Sequence, residues 1–127
     1  MDYDVVVIGA GNAAMCSALA AEEVGAKVLV LEAATEELGG GNTRYTAGAI
    51  RTVYNGVEDL RELMPDLTDA ECEITDFGTY TEDQFFDDMF RVTEYRTDPE
   101  LVEILVKNSF NTLKWMREKG VRFAPIW

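Results

Sequence analysis

The stretch VVVIGAGNAAMCSALAA, residues Val5–Ala21, decides the fold. Four β-branched residues run into Gly9-Ala10-Gly11, and a series of small residues follows. Asp4–Ile8 shows no polar alternation, which predicts a strand buried on both faces, as in a parallel sheet. Asn12 to about Gly25 is rich in alanine, carries Leu19 and Val24, and predicts a helix closed by a glycine. Lys27–Glu32 (KVLVLE) predicts a second buried strand. The unit is therefore β-α-β in about 30 residues, with a right-handed crossover. The fold class is α/β: a Rossmann-like start with a parallel sheet, followed by a mostly helical segment.

So little side chain at a strand-to-helix junction means that something must approach the backbone closely. Gly9-Ala10-Gly11-Asn12-Ala13-Ala14 fits the pattern G-x-G-x-x-G/A. Gly9 permits the tight turn out of the strand. Gly11 has no Cβ, so a pyrophosphate can come close. Ala14 is small enough for the helix to lie on the strand. The helix N-terminus then offers N–H groups and partial positive charge to phosphates. The second strand ends in Glu32, at the distance expected of the acid that takes the ribose hydroxyls of a dinucleotide. The pattern alone leaves NAD and FAD both open, along with a tight turn that holds no phosphate.

A second glycine cluster follows: Gly39-Gly40-Gly41-Asn42-Thr43, then Ala47-Gly48-Ala49. An NAD site has no need of such a loop. The arrangement resembles the two-dinucleotide-fold flavoproteins. The longer string GGGNTRYTAGAIR is similar to the fumarate reductase/succinate dehydrogenase flavoprotein superfamily. Within it, GNTRYTAGAIR, TDFGTYTEDQFFDDM, RVTEYRTDPELVEILV and LKWMREKGVRF resemble FAD-dependent tricarballylate dehydrogenases along the whole chain. That resemblance implies FAD as cofactor. It implies that Gly9, Gly11, Ala13 and Ala14 hold the pyrophosphate and that Glu32, with Ala33 beside it, takes the adenosine ribose. Gly41, Asn42 and Thr43 line the phosphate and flavin side, and Gly48 and Ala49 run under the isoalloxazine. Ala49 stands where the family has a second glycine, which narrows the backbone angles open there. Arg44 and Arg51 are cations that could meet FAD phosphates or a polycarboxylate, or simply solvent. Tyr45 is expected in the core.

The resemblance also implies a reaction: a saturated tricarboxylic acid loses a proton and a hydride to become an alkene, as in tricarballylate to cis-aconitate. The partner is then a small polycarboxylate, with the electron acceptor and the oligomeric state open. Relatives are several times longer, and their arginine and histidine chemistry lies in later parts. This chain has no histidine, and no carboxylate spacing selects a catalytic acid or base. The reading is of an N-terminal part of an FAD-binding domain, residues 1–127, that is inactive alone. Residues 1–52 form the βαβ unit and glycine-rich loop, and 53–127 the helical, acidic part. The alternatives are a standalone non-catalytic nucleotide-binding module or an NAD-binding Rossmann protein.

In the second part, Thr68-Asp69-Ala70-Glu71 and Thr81-Glu82-Asp83-Gln84 both fit a capping box and mark helix starts. Asp98-Pro99 opens a further helix, on which Leu101, Leu105, Phe110, Leu113 and Met116 recur at roughly helical spacing up to Gly120. Val121-Arg122-Phe123 could start another strand, and apolar surface is expected near Ile126-Trp127.

The composition is that of a soluble globular protein, with 47% hydrophobic and 28% charged residues. The net charge of −13 is concentrated: Glu58–Glu103 holds sixteen acids and three bases, and the remainder holds eight of each. Such a block argues against nucleic-acid or anionic-membrane partners. No apolar run reaches the length of a membrane span and no signal peptide is visible, so a cytoplasmic location is expected. Cys16 and Cys72 lack metal-like spacing; Cys16 reads as a small buried hydrophobe, and no metal site is predicted.

Overall fold

A computed structural model describes residues 2–126 and divides the chain into two compact units, 1–49 and 50–127. In the first unit, β1 (Val5–Ile8) and β2 (Val28–Leu31) pair in parallel, with Val5 opposite Val28 and Ile8 opposite Leu31. Helix α1 (Asn12–Glu23) makes the crossover. Its half-buried residues are Ala14, Cys16, Ala18 and Ala21; the alanines recur at i, i+4 and i+7, so an alanine stripe faces the strands. The helix ends in a Schellman motif: Gly25, at φ +86°, donates to the Glu22 carbonyl, and Ala26 donates to that of Ala21.

The expectation of strands buried on both faces is corrected. Residues alternate between half-buried and exposed along β1, and Ile8 is 86% exposed. Among the described residues the sheet has two strands, and α1 covers one face only. No described residue of this unit is fully buried, Cys16 included.

The second unit holds α2 (Val57–Leu63), α3 (Asp69–Ile74), α4 (Glu82–Val92) and α5 (Pro99–Glu118). Both expected capping boxes are present, Thr68 with Glu71 and Thr81 with Gln84. Asp98 caps α5 by accepting from the N–H groups of Glu100 and Leu101 at 2.9 and 3.3 Å. One core cluster gathers Leu60, Leu63, Met64, Leu67 and Leu113; another gathers Phe85, Val102 and Val106.

The helix at Pro99 forms, and its expected residues divide: Leu113 is buried with Phe110 and Met116 packed on its cluster, while Leu101 and Leu105 face away from the core. Val102, Val106, Ser109 and Leu113 are buried, whereas Leu101 and Leu105 are exposed. Apolar residues stand at 101, 102, 104, 105 and 106, so periodicity alone leaves two adjacent stripes. Contact with Phe85 and Met89 of α4 selects the 102/106 stripe. The buried Ser109 hydroxyl is satisfied, taking the Val53 N–H at 3.2 Å and donating to the Val106 carbonyl at 2.9 Å. The strand expected at Val121–Phe123 does not form. Val121 closes α5 by donating to the Met116 carbonyl, Arg122 pairs with Asp66, and Phe123 packs on the first cluster. Ile126 is exposed, and Trp127 lies outside the described residues.

Candidate functional site

The first unit brings both glycine-rich segments together at the C-terminal ends of its strands. Gly9 leaves β1 at φ +107°, and its N–H reaches the Leu31 carbonyl at 2.6 Å. A Cβ built on Gly9 would lie 4.0 Å from that of Ala14, which shows how closely α1 returns to the turn. The N-cap of α1 is Gly11, whose φ of −77° and ψ of 177° are open to any residue. Gly11 is therefore not required by its backbone angles. Its missing Cβ matters because the added atom would sit 3.2 Å from the Gly40 carbonyl oxygen and 3.3 Å from Thr43 Oγ1. The space that sequence reasoning reserved for a phosphate is, at this atom, space for the second loop.

That loop is held by two side chains. Thr43 Oγ1 accepts the Asn12 N–H at 3.1 Å and so caps α1 from 31 residues away. Glu32, at the end of β2, accepts from Ala10 N–H on Oε2 at 3.0 Å, from Gly40 N–H on Oε2 at 3.4 Å, and from Ala34 N–H on Oε1 at 3.0 Å. The Ala34 and Gly40 N–H groups, with those of Ala33 and Ala10, hold the Glu32 carboxyl below the ordinary carboxylate range. A carboxylate offers about four lone-pair directions, so these bonds leave room chiefly on Oε1. Ala33 lies beside it, exposed.

Gly41, Asn42 and Thr43 open a 3-10 turn, Gly41–Tyr45, entered through Gly40 at φ +101°. Gly40 was missed from sequence: its N–H and its left-handed backbone shape the loop, and the run of three glycines was the available signal. Downstream, the Ala49 N–H donates to the Thr46 carbonyl at 3.0 Å across Ala47 and Gly48, at φ +54° and +74°. Positive φ at both central positions is the mark of a type I′ turn. The backbone cost expected at Ala49 therefore falls on Ala47 instead. Tyr45, expected in the core, is 73% exposed.

The cations take separate places. Arg44 is exposed on the 3-10 turn, with no ion-pair partner among the described residues. Arg51, in the second unit, donates to Asp88 Oδ2 at 2.6 Å and to the Tyr80 hydroxyl at 2.9 Å, and it lies over the Tyr80 ring. Tyr80 donates to the same Asp88 oxygen, and Arg91 pairs with the other.

A dinucleotide pyrophosphate fits the frame of the first unit. Asn12 N–H is taken by Thr43, and Met15 N–H bonds to the Gly11 carbonyl. Among the described residues nothing accepts from the N–H groups of Ala13 and Ala14, which leaves two donors at the positive end of α1. A Cβ added at Gly41 or Gly48 would meet nothing within 4 Å, so the backbone can be approached there.

Residues 4–125 match the FAD binding domain family over nearly the whole chain. The chain belongs to this family. FAD is therefore its cofactor, and its relatives include fumarate reductases. It is 29% identical to a vinyl phenol reductase of Lactiplantibacillus plantarum, over 98% of this chain and 22% of that protein. It is 29% identical to a fumarate reductase (cytochrome) of Shewanella frigidimarina, over 97% of this chain and 19% of that protein. It is 30% identical to a urocanate reductase of Eggerthella lenta, over 98% of this chain and 18% of that protein. The FAD-binding domain thus spans about a fifth of the length of these relatives. Among the described residues no helix is long and apolar enough to cross a membrane, and no group of His, Cys, Asp and Glu is placed to hold a metal ion.

Proposed function

We infer that this chain is the FAD-binding segment of a flavin-dependent oxidoreductase that moves two hydrogens between a small carboxylic acid and its unsaturated counterpart. The observation that carries this reading is the joined pair of glycine-rich segments, held by Glu32 and Thr43 at the N-terminus of α1. Bound FAD supplies the two-electron chemistry. The chain's own residues bind and orient. Gly9 shapes the turn, Gly11 admits the second loop, the N–H groups of Ala13 and Ala14 donate to the pyrophosphate, and Glu32 takes a ribose hydroxyl on Oε1 with Ala33 alongside. Gly41, Asn42, Thr43, Gly48 and Ala49 line the remaining approach. An acid at Glu32 also repels a 2′-phosphate.

The finer reading is dehydrogenation of a tricarballylate-type acid. It is supported by the strings GNTRYTAGAIR and RVTEYRTDPELVEILV, which resemble such dehydrogenases. A second reading, reduction of an activated alkene, is favoured by the names of the relatives, among them fumarate reductase and urocanate reductase. The same nucleotide frame serves both directions. A cytoplasmic location and a small polycarboxylate partner belong to this proposal.

The purified chain is titrated with FAD and then with NAD, followed by calorimetry and flavin fluorescence. Saturable FAD binding that weakens in Glu32→Ala is the expected result; a preference for NAD overturns the reading. Substrate direction is read anaerobically from the flavin of the longer oxidoreductase that carries this segment. Bleaching by tricarballylate supports dehydrogenation, and reoxidation of dithionite-reduced flavin by fumarate supports the reductase reading.

A further inference from the structure

Among the described residues, Thr43 is the side chain that joins the second glycine-rich loop to the helix that follows the first. Its Oγ1 takes the Asn12 N–H at 3.1 Å and lies 3.3 Å from where a Gly11 Cβ would stand. Gly11, the N-cap residue, has no side chain to offer the N–H groups of Ala13 and Ala14, and the orphan donor at the first helical position, Asn12, is satisfied from Thr43. The same loop is tied at Gly40 to Glu32, which also holds Ala10 in the first turn. The two loops are thus bonded to each other by the protein alone, through Glu32 at one end and Thr43 at the other.

We propose that Thr43 is a positioning residue, whose hydroxyl, by capping Asn12, docks loop 39–43 on α1 and preforms the FAD pyrophosphate cradle before the cofactor arrives. The proposal rests on the FAD-binding reading of this site and adds a role beyond contact with the cofactor. Taking up Asn12 leaves Ala13 and Ala14 as the donors of the first turn, so the cap also decides which N–H groups face the phosphates. A loop fixed in advance loses less conformational freedom on binding, which favours affinity without any added contact.

The test compares Thr43→Val, which keeps the shape and loses the acceptor, with Thr43→Ser, which keeps the hydroxyl and loses the methyl group. Two quantities are read on the full chain: amide hydrogen exchange at Asn12 without cofactor, and the FAD dissociation constant. Thr43→Val is expected to expose the Asn12 amide to exchange and to raise Kd by about two- to thirtyfold, the range a lost helix cap carries. Thr43→Ser is expected to keep both within about twofold of the parent, as the same acceptor remains. Circular dichroism verifies that each variant is folded; should Thr43→Val not fold, Thr43→Ala gives the same contrast with Thr43→Ser. An Asn12 amide that exchanges freely in the parent, or that stays protected in Thr43→Val, overturns the proposal. So does an unchanged Kd once protection is lost. A parent chain that takes up no FAD while Asn12 is protected overturns instead the reading that this segment binds FAD by itself, and with it the role of the cap toward FAD.

Discussion

Gly11→Ala separates steric demand from backbone demand. Gly11 sits at φ −77° and ψ 177°, so alanine adopts its backbone without strain. The whole cost comes from one methyl group placed 3.2 Å from the Gly40 oxygen and 3.3 Å from Thr43 Oγ1. Loop 40–43 must withdraw by a few tenths of an ångström, which stretches the Asn12–Thr43 bond. A neutral hydrogen bond contributes about 0.5–1.5 kcal/mol, equivalent to about a twofold to tenfold rise in the FAD dissociation constant. The same weakened bond lowers the stability of the first unit by no more than that amount. Gly25→Ala is the opposite case. Its φ of +86° is unfavourable to alanine, yet an added Cβ meets nothing within 4 Å. That variant should lose about 1–2 kcal/mol of stability in the first unit and keep its FAD affinity. Flavin fluorescence titration and differential scanning calorimetry on both variants read the contrast. A Gly11→Ala chain that binds FAD as the parent does refutes the argument, because the second loop would then not be packed against the helix N-terminus.

Further expectations follow from the other unit and from Glu32. Val106→Ala removes two carbon groups from a residue with no exposed surface and should cost about 2–3 kcal/mol in urea unfolding, cavity included. Leu101→Ala, at a position 64% exposed, should stay within about 0.5 kcal/mol, which reads out the face of α5 directly. Asp98→Ala should remove about 1 kcal/mol through loss of the α5 cap, and Asp98→Asn should restore most of it. The Glu32 carboxyl is held below its ordinary range, so its bonds to Ala34, Gly40 and Ala10 are complete above that range and are lost as pH falls through the lowered folded value. FAD affinity should therefore be level from neutrality down to the ordinary glutamate range and fall only below it. Glu32→Gln should remove that acid limb in a fluorescence titration against pH.

Much of the molecule is local in origin. The capping boxes at Thr68 and Thr81 and the Asp98-Pro99 start each involve residues within four positions, so the chain code alone marks them. The glycine ends at Gly25 and Gly120 follow for the same reason, since positive φ at a helix end is a property of one residue and its own turn. The dinucleotide pattern belongs with these. Gly9, Gly11, Ala14 and Glu32 stand in one βαβ unit, and its parallel pairing is implied by a crossover of that length.

Other features depend on partners distant in the chain. Which apolar stripe of α5 is buried depends on Phe85 and Met89 of α4, because neighbouring stripes offer similar apolar area. Arg51 is committed to Asp88 and Tyr80, 37 and 29 residues away, and its chemistry could not be read from its own surroundings in sequence. The same holds at the nucleotide frame. Spacing marked Gly9–Ala14 and Glu32 as a dinucleotide pattern, and only the family resemblance implied that the second glycine-rich segment would meet the same cofactor. Only the tertiary structure decided that Thr43 caps α1, that Glu32 ties three N–H groups, and that the missing Cβ of Gly11 accommodates another loop. The physical reason is that glycine pattern and helix capping are set by neighbouring dihedral angles, whereas a hydrogen bond across 31 residues exists only once packing has brought its two ends together.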